Sequence, residues 1–212
     1  LSDDKNMINM LKNRDADIHS ETAAKVFNTN IDSVTKDMRR KAKEVNFGLI
    51  YGMESFGLSK SLDITKKEAD ELIKAYFGQF PKIKGFLEKI VVDATKNTYT
   101  ETLYGRKRFI RELSSSNFQV KAMGKRIAMN APIQGTASDI MKIAMIKLIK
   151  KLSPLESTNL LLQIHDEIII QTPKVLSDKV SNIMQKEMEG SSSLKVPLFV
   201  DIKENLNLSN LN

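Results

Sequence analysis

Two β-forming, largely apolar runs, 160–164 and 168–171, are separated only by His165-Asp166-Glu167. So short a spacer permits an antiparallel hairpin with an acidic tip and nothing else, because parallel pairing needs a crossover of a dozen residues or more. Upstream, the pattern is helical. Helices are predicted over 21–27, over 35–51 with Gly52 as the stop, and from the Thr65/Glu68 capping box to about residue 80. Pro81 is placed to start another, running to about residue 96. Two short strands, 99–103 and 106–110, flank a turn at Tyr104-Gly105. A helix over 117–130 is expected to break at Pro132 before a further one over 136–152, whose Ile140, Ile143, Ala144, Leu148 and Leu152 recur at helical spacing. A helix over 174–188 and a last strand over 196–202 follow the hairpin. The expectation is a mostly helical α+β chain, a helical lobe followed by an α+β lobe, joined near residue 135.

Composition narrows the function classes. With 41% hydrophobic residues in 212, the chain can bury a core of its own. It contains no cysteine, which removes disulfides, thiol nucleophiles and thiolate zinc sites together. No apolar run approaches the ~18 residues of a membrane span, and the first ten residues carry acidic and polar groups in place of a signal peptide's apolar core. Lys and Arg number 33 against 26 Asp and Glu, a formal charge of +7 that favours polyanionic partners.

Arg39, Lys43, Phe47 and Tyr51 follow one another at intervals of four, so on one helix they drift by about 40° per step and form a single stripe. Its cationic end suits phosphates, with Arg39 a fork and Lys43 a point charge, and its aromatic end suits sugar or base. Spacing alone also fits an amphipathic helix with Phe47 in the core and its cations snorkelling. Asp166 and Glu167 at a hairpin tip suit the carboxylate pair of metal-assisted phosphoryl transfer, or simply a solvated turn. Arg126, Asn130 and Gln134 surround the break at Ala131-Pro132. The Asn130 and Gln134 amides could meet the acceptors every base pair shows in the minor groove, or the group could be a helix cap and a polar face. His19 precedes or opens a helix whose N-terminus favours phosphate, and Arg106 and Arg108 lie in a basic turn.

The segment Arg39-Arg40-Lys41-Ala42-Lys43-Glu44-Val45-Asn46-Phe47-Gly48-Leu49-Ile50-Tyr51-Gly52 resembles the fingers-helix motif of family A (DNA polymerase I-like) DNA polymerases. Gln163-Ile164-His165-Asp166-Glu167 is similar to the third motif of that family, the segment from Arg126 to Asp139 matches it closely, and Glu101-Thr102-Leu103-Tyr104-Gly105-Arg106-Lys107-Arg108 is similar to a hallmark of its fingers. The resemblance covers essentially the whole chain. It implies a helical fingers subdomain over 1–135 and the C-terminal part of an antiparallel-sheet palm, with helices on one face, over 136–212. It implies that Arg39, Lys43 and His19 meet the incoming triphosphate, that Phe47 packs on its sugar and that Tyr51 stacks by the templating base. Asp166 and Glu167 become metal ligands and, with Lys43, the catalytic group. DNA contacts fall to Tyr51, Arg126, Asn130, Gln134, His165, Arg106 and Arg108.

The implied cofactor is Mg2+, two ions in the intact enzyme, and the implied partners are primer-template DNA and deoxynucleoside triphosphates, with no membrane. A bacterial parent would place the chain in the cytoplasm, a eukaryotic one in an organelle. The family's first motif, Asp-Tyr-Ser-Gln-x-Glu-Leu-Arg, is absent from these 212 residues, and with it the other metal-binding Asp. The chain is therefore expected to be a fragment, needing that Asp and a thumb from the rest of its parent, and not to polymerise alone. A phage-type single-subunit RNA polymerase fragment and a non-catalytic DNA-binding module are the competing expectations. The second predicts salt-sensitive DNA binding without nucleotide dependence.

Overall fold

The computed structural model describes residues 1–207, and they divide into two compact units, Leu1–Thr136 and the residues from Ala137 on. In the first, Asp4 caps α1 (Lys5–Leu11) by accepting from the Met7 N–H at 3.1 Å. Its second oxygen accepts from the Lys82 N–H, also at 3.1 Å, at the start of α6 (Pro81–Asn97). One carboxylate thus serves donors orphaned at two helix starts. Asp17 caps α2 (Ile18–Val26) and Thr35 caps α3 (Lys36–Ile50). The predicted capping box opens α5 (Lys66–Gln79): Glu68 N–H donates to Thr65 Oγ1 at 3.2 Å, and Thr65 N–H to Glu68 Oε2 at 2.8 Å. Val45 and Leu49 from α3, Tyr76 from α5 and Leu87 from α6 meet in one core with Leu58 and Leu62 of α4 (Ser55–Leu62).

Beyond α6, β1 (Tyr99–Glu101) pairs antiparallel with β2 (Lys107–Phe109), Tyr99 opposite Phe109 and Glu101 opposite Lys107. A 3-10 turn, Arg111–Ser114, leads into α7 (Phe118–Leu152). In the second unit, Leu148 and Leu152 of α7, Ile168 of β4 (Glu167–Gln171) and Val180 of α8 (Ser177–Glu189) form a separate core. β4 pairs antiparallel with β3 (Asn159–Ile164), so helices cover one face of the hairpin. Leu162, Ile164 and Glu167 alternate onto the other face and are exposed.

The structure corrects the expectations in four places. α1 and α4 were not expected; α4 is punctuated by Ser and Gly and forms because Leu58 and Leu62 are buried, tertiary packing overriding weak propensity. α7 is one helix of 35 residues that continues through Pro132. Proline removes one backbone donor, and the buried Ala128 and Ala131, with the hydrogen bond between Thr136 and Leu103, hold the helix across that gap. Glu167 lies in β4, so the hairpin turn is two residues, not three. No strand forms over 196–202: neither ladder among the described residues takes this segment in, and Val200 N–H donates instead to Glu189 Oε1 at 3.1 Å.

Candidate active site

Along α3, Arg39, Lys43 and Phe47, with Tyr51 at its C-cap, all face outward. Phe47 is 47% exposed and Tyr51 37%, so the stripe is a surface and Phe47 is not a core residue. The helix continues its rings in a row: the Phe47 and Tyr51 centroids are 6.4 Å apart and near-parallel. His19, from the first turn of α2, sets its ring 5.5 Å from Phe47. The structure therefore brings all five predicted nucleotide contacts onto α3 and the start of α2.

Asp17 organises the cationic end. Its carboxylate accepts from the His19 and Ser20 N–H groups, at 3.1 and 3.4 Å, and from Ser20 Oγ at 2.8 Å. It also takes Arg39 side-on, Nε at 2.6 Å and Nη2 at 3.3 Å. The Arg39 hydrogen bonds, foremost, hold the Asp17 carboxyl well below the usual carboxylate range. Burial lowers the pKa of His19, Arg39 and Lys43 push the same way, and Asp17 opposes them. The neighbouring Arg40 and Lys41 are paired with Asp37, at 2.8 and 2.9 Å. Asp17 as the partner of Arg39 was not anticipated. An aspartate before a helix signals an N-cap, and nothing in local spacing links it to a residue 22 positions on.

The aromatic end is set by a Schellman closure. Gly52 N–H donates to Leu49 O at 3.1 Å, and Met53 N–H to Gly48 O at 2.7 Å, with Gly52 left-handed at φ +74°. A Cβ at Gly52 would meet Met129 Cε at 2.3 Å and Arg126 Cγ at 3.1 Å. Arg126 therefore lies against the residue that follows Tyr51. Asn130 Oδ1 is buried without a hydrogen-bond partner among the described residues.

Arg106, Arg108 and Gln134 line one small cavity of about 60 Å³, closed by Thr100, Glu101 and Gly135. Thr136 Oγ1 accepts from the Leu103 N–H at 2.9 Å and Arg106 Nη2 donates to Gly135 O at 3.0 Å, which ties the β1–β2 turn to α7. Gly135 allows the approach, since a Cβ there would sit 2.6 Å from Thr102 Cγ2.

In the second unit, His165 and Asp166 form the hairpin turn, with His165 at φ +52° and the Gln163 side-chain amide donating to its carbonyl. A side-chain-bearing residue in that region stores strain where the turn presents Asp166. Asp166 and Glu167 are both exposed. Paired carboxylates suit a hard cation such as magnesium, whose ligands are oxygens. Among the described residues, no group of three or more His, Cys, Asp or Glu is placed to hold a metal. No helix among the described residues is long and apolar enough to cross a membrane.

Comparison with known proteins gives the family. A sequence model of DNA polymerase family A matches residues 1–209. DNA polymerase I of Caldicellulosiruptor bescii is 46% identical over 208 residues, 98% of this chain and 24% of that protein. DNA polymerase I of Bacillus subtilis is 44% identical over 202 residues, 95% of this chain and 23% of its relative. The chain therefore spans about a quarter of the length of these bacterial relatives. A solved POL domain of Pol1 from M. smegmatis, in complex with DNA primer-template and dNTP, superposes with a TM-score of 0.88 at 37% identity, covering 93% of this chain and 35% of that one. From Leu1 through residue 209, this chain belongs to DNA polymerase family A.

Proposed function

We propose that the chain is the fingers (1–135) and the C-terminal part of the palm (136–212) of a DNA-directed DNA polymerase that extends primers in replication or repair. The observation that carries this reading is the outward stripe of Arg39, Lys43, Phe47 and Tyr51, with His19 packed beside it. A passive DNA-binding surface needs cations but no such ordered pairing of charge and aromatic face. Arg39, Lys43 and His19 bind the triphosphate, Phe47 supports the sugar, and Tyr51 lies by the templating base. Lys43 stabilises charge that develops on the leaving pyrophosphate as the primer 3′-hydroxyl attacks the α-phosphate. Arg126, Asn130 and Gln134 hold the nascent pair through minor-groove acceptors common to all base pairs, so they test its shape without reading its sequence. Arg106 and Arg108 hold template phosphates and His165 lies near the primer end.

Asp166 and Glu167 would hold Mg2+, which supplies Lewis-acid stabilisation of phosphate charge when bound. Because the sequence does not contain the family's first motif with its metal-binding Asp, the 212 residues alone are proposed not to extend a primer. Arg39 is released from Asp17 when the triphosphate competes for its guanidinium.

The test is Arg39→Ala in the intact parent polymerase, read by single-nucleotide incorporation. Nucleotide KM is expected to rise by tenfold or more with primer-template affinity unchanged. Unaltered nucleotide kinetics would refute the assignment of the stripe.

A further inference from the structure

We propose that Asn46 is a positioning residue for His19: it keeps Nδ1 of the imidazole as an acceptor, so that the Nε2–H is the donor offered to the nucleotide's phosphates. The direction of His19 as a phosphate contact rests on the function proposed above; the tautomer itself does not.

Asn46 sits on α3 between Lys43 and Phe47, yet it is turned off the exposed stripe and is only 5% exposed. A buried amide must satisfy both of its N–H groups. One donates to Thr22 Oγ1 at 3.1 Å, inside α2, and the other lies 3.3 Å from His19 Nδ1. An amide nitrogen carries no acceptor, so it can pair only with a ring nitrogen that holds a lone pair. In a neutral imidazole the remaining hydrogen is then on Nε2, at the far side of the ring. The Thr22 hydroxyl completes the arrangement, 3.4 Å from Asn46 Oδ1.

The surroundings favour the neutral ring this requires. Burial, Arg39 and Lys43 all disfavour its protonation, against Asp17 alone, and Phe47 lies 5.5 Å away. A neutral ring still has two tautomers. With the amide turned the other way, Oδ1 would accept from Nδ1–H and leave a lone pair on Nε2, which anionic phosphate repels. Asn46 therefore decides whether His19 attracts or repels the ligand without touching that ligand itself.

The chain contains two histidines, so selective 15N-histidine labelling yields two sets of ring signals, and His165→Gln identifies which is His19. Long-range 1H–15N correlation at pH 8 is expected to show His19 protonated at Nε2 and bare at Nδ1. The unsubstituted chain showing Nδ1–H at His19 overturns the proposal. Asn46→Asp, which offers an acceptor, is expected to move the proton to Nδ1, and an unchanged tautomer there also overturns it. In the parent polymerase, Asn46→Asp is expected to raise nucleotide KM at least tenfold with a smaller change in kcat. The expected tautomers with an unchanged KM would leave Asn46 positioning His19 and refute the phosphate role of His19.

Discussion

Gly52→Ala separates two costs that the structure superimposes at the end of the stripe helix. At φ +74° an L side chain costs about 1–2 kcal/mol. The added Cβ would also lie 2.3 Å from Met129 Cε and 3.1 Å from Arg126 Cγ. Both atoms belong to flexible side chains, so relief takes a rotamer shift of about 0.5–1.5 kcal/mol rather than a backbone movement. Alanine also restricts the unfolded chain, returning about 0.4–1 kcal/mol. The net destabilisation is about 1.5 kcal/mol, close to tenfold in the folding equilibrium. Urea unfolding of the chain, with m compared between variants, measures it. Gly105→Ala is the reference, because Gly105 has φ +80° with nothing within 4 Å of where its Cβ would lie, so it bears the backbone cost alone. A double-mutant cycle with Met129→Ala is expected to show a favourable coupling equal to the steric part. Equal losses at Gly52 and Gly105, with no coupling to Met129, would show that α7 does not press on the end of α3.

Gly85→Ala in α6 is expected to stabilise the chain by about 0.5–1 kcal/mol, since a helix interior favours alanine and nothing lies within 4 Å of its Cβ; a lower melting temperature would contradict this. Asp17→Asn keeps a capping side chain on α2 and removes the Arg39 ion pair. Because the folded carboxyl is held below its unfolded value, that pair's stabilisation is complete above about pH 4 and is lost as pH falls through the folded pKa. The stability gap between the two proteins should therefore narrow only in acid, and a gap independent of pH would show that the ion pair is not its source. Asp166→Ala, at an exposed turn, is expected to change the chain's stability by less than about 0.5 kcal/mol. The same change in the parent should abolish incorporation with DNA affinity retained, and surviving turnover would remove Asp166 from the metal site.

Where the chain speaks locally, it was readable. Thr65 and Glu68 close a capping box three residues long, Gly52 ends α3, and the hairpin around His165-Asp166 follows from the shortness of its spacer. The stripe from Arg39 to Tyr51 could be drawn from a period of four alone, because a helix turns i and i+4 to the same side whatever surrounds it. That the stripe faces outward is a different kind of fact. It follows from Val45 and Leu49, on the opposite side of α3, finding Leu58, Leu62 and Tyr76 to pack against.

Tertiary structure decided the rest, for one recurring reason: a contact across 22 or 27 residues has no period. Asp17 reads as a helix cap until α3 lies beside α2 and gives it Arg39. Asn46 reads as one more polar residue until the same packing buries it against Thr22 and His19. Pro132 reads as a break, and the helix continues because buried alanines and the Thr136 bond to Leu103 outweigh one missing N–H. The segment 196–202 has strand-forming residues, but a strand is made by its partner, and neither two-stranded ladder takes this segment in; its Val200 N–H goes to the Glu189 side chain instead. Local rules thus set the caps, the stripe and the acidic turn, while burial of one helix on another added α4, carried α7 through Pro132 and set the electrostatics and hydrogen bonding of the groups that line them.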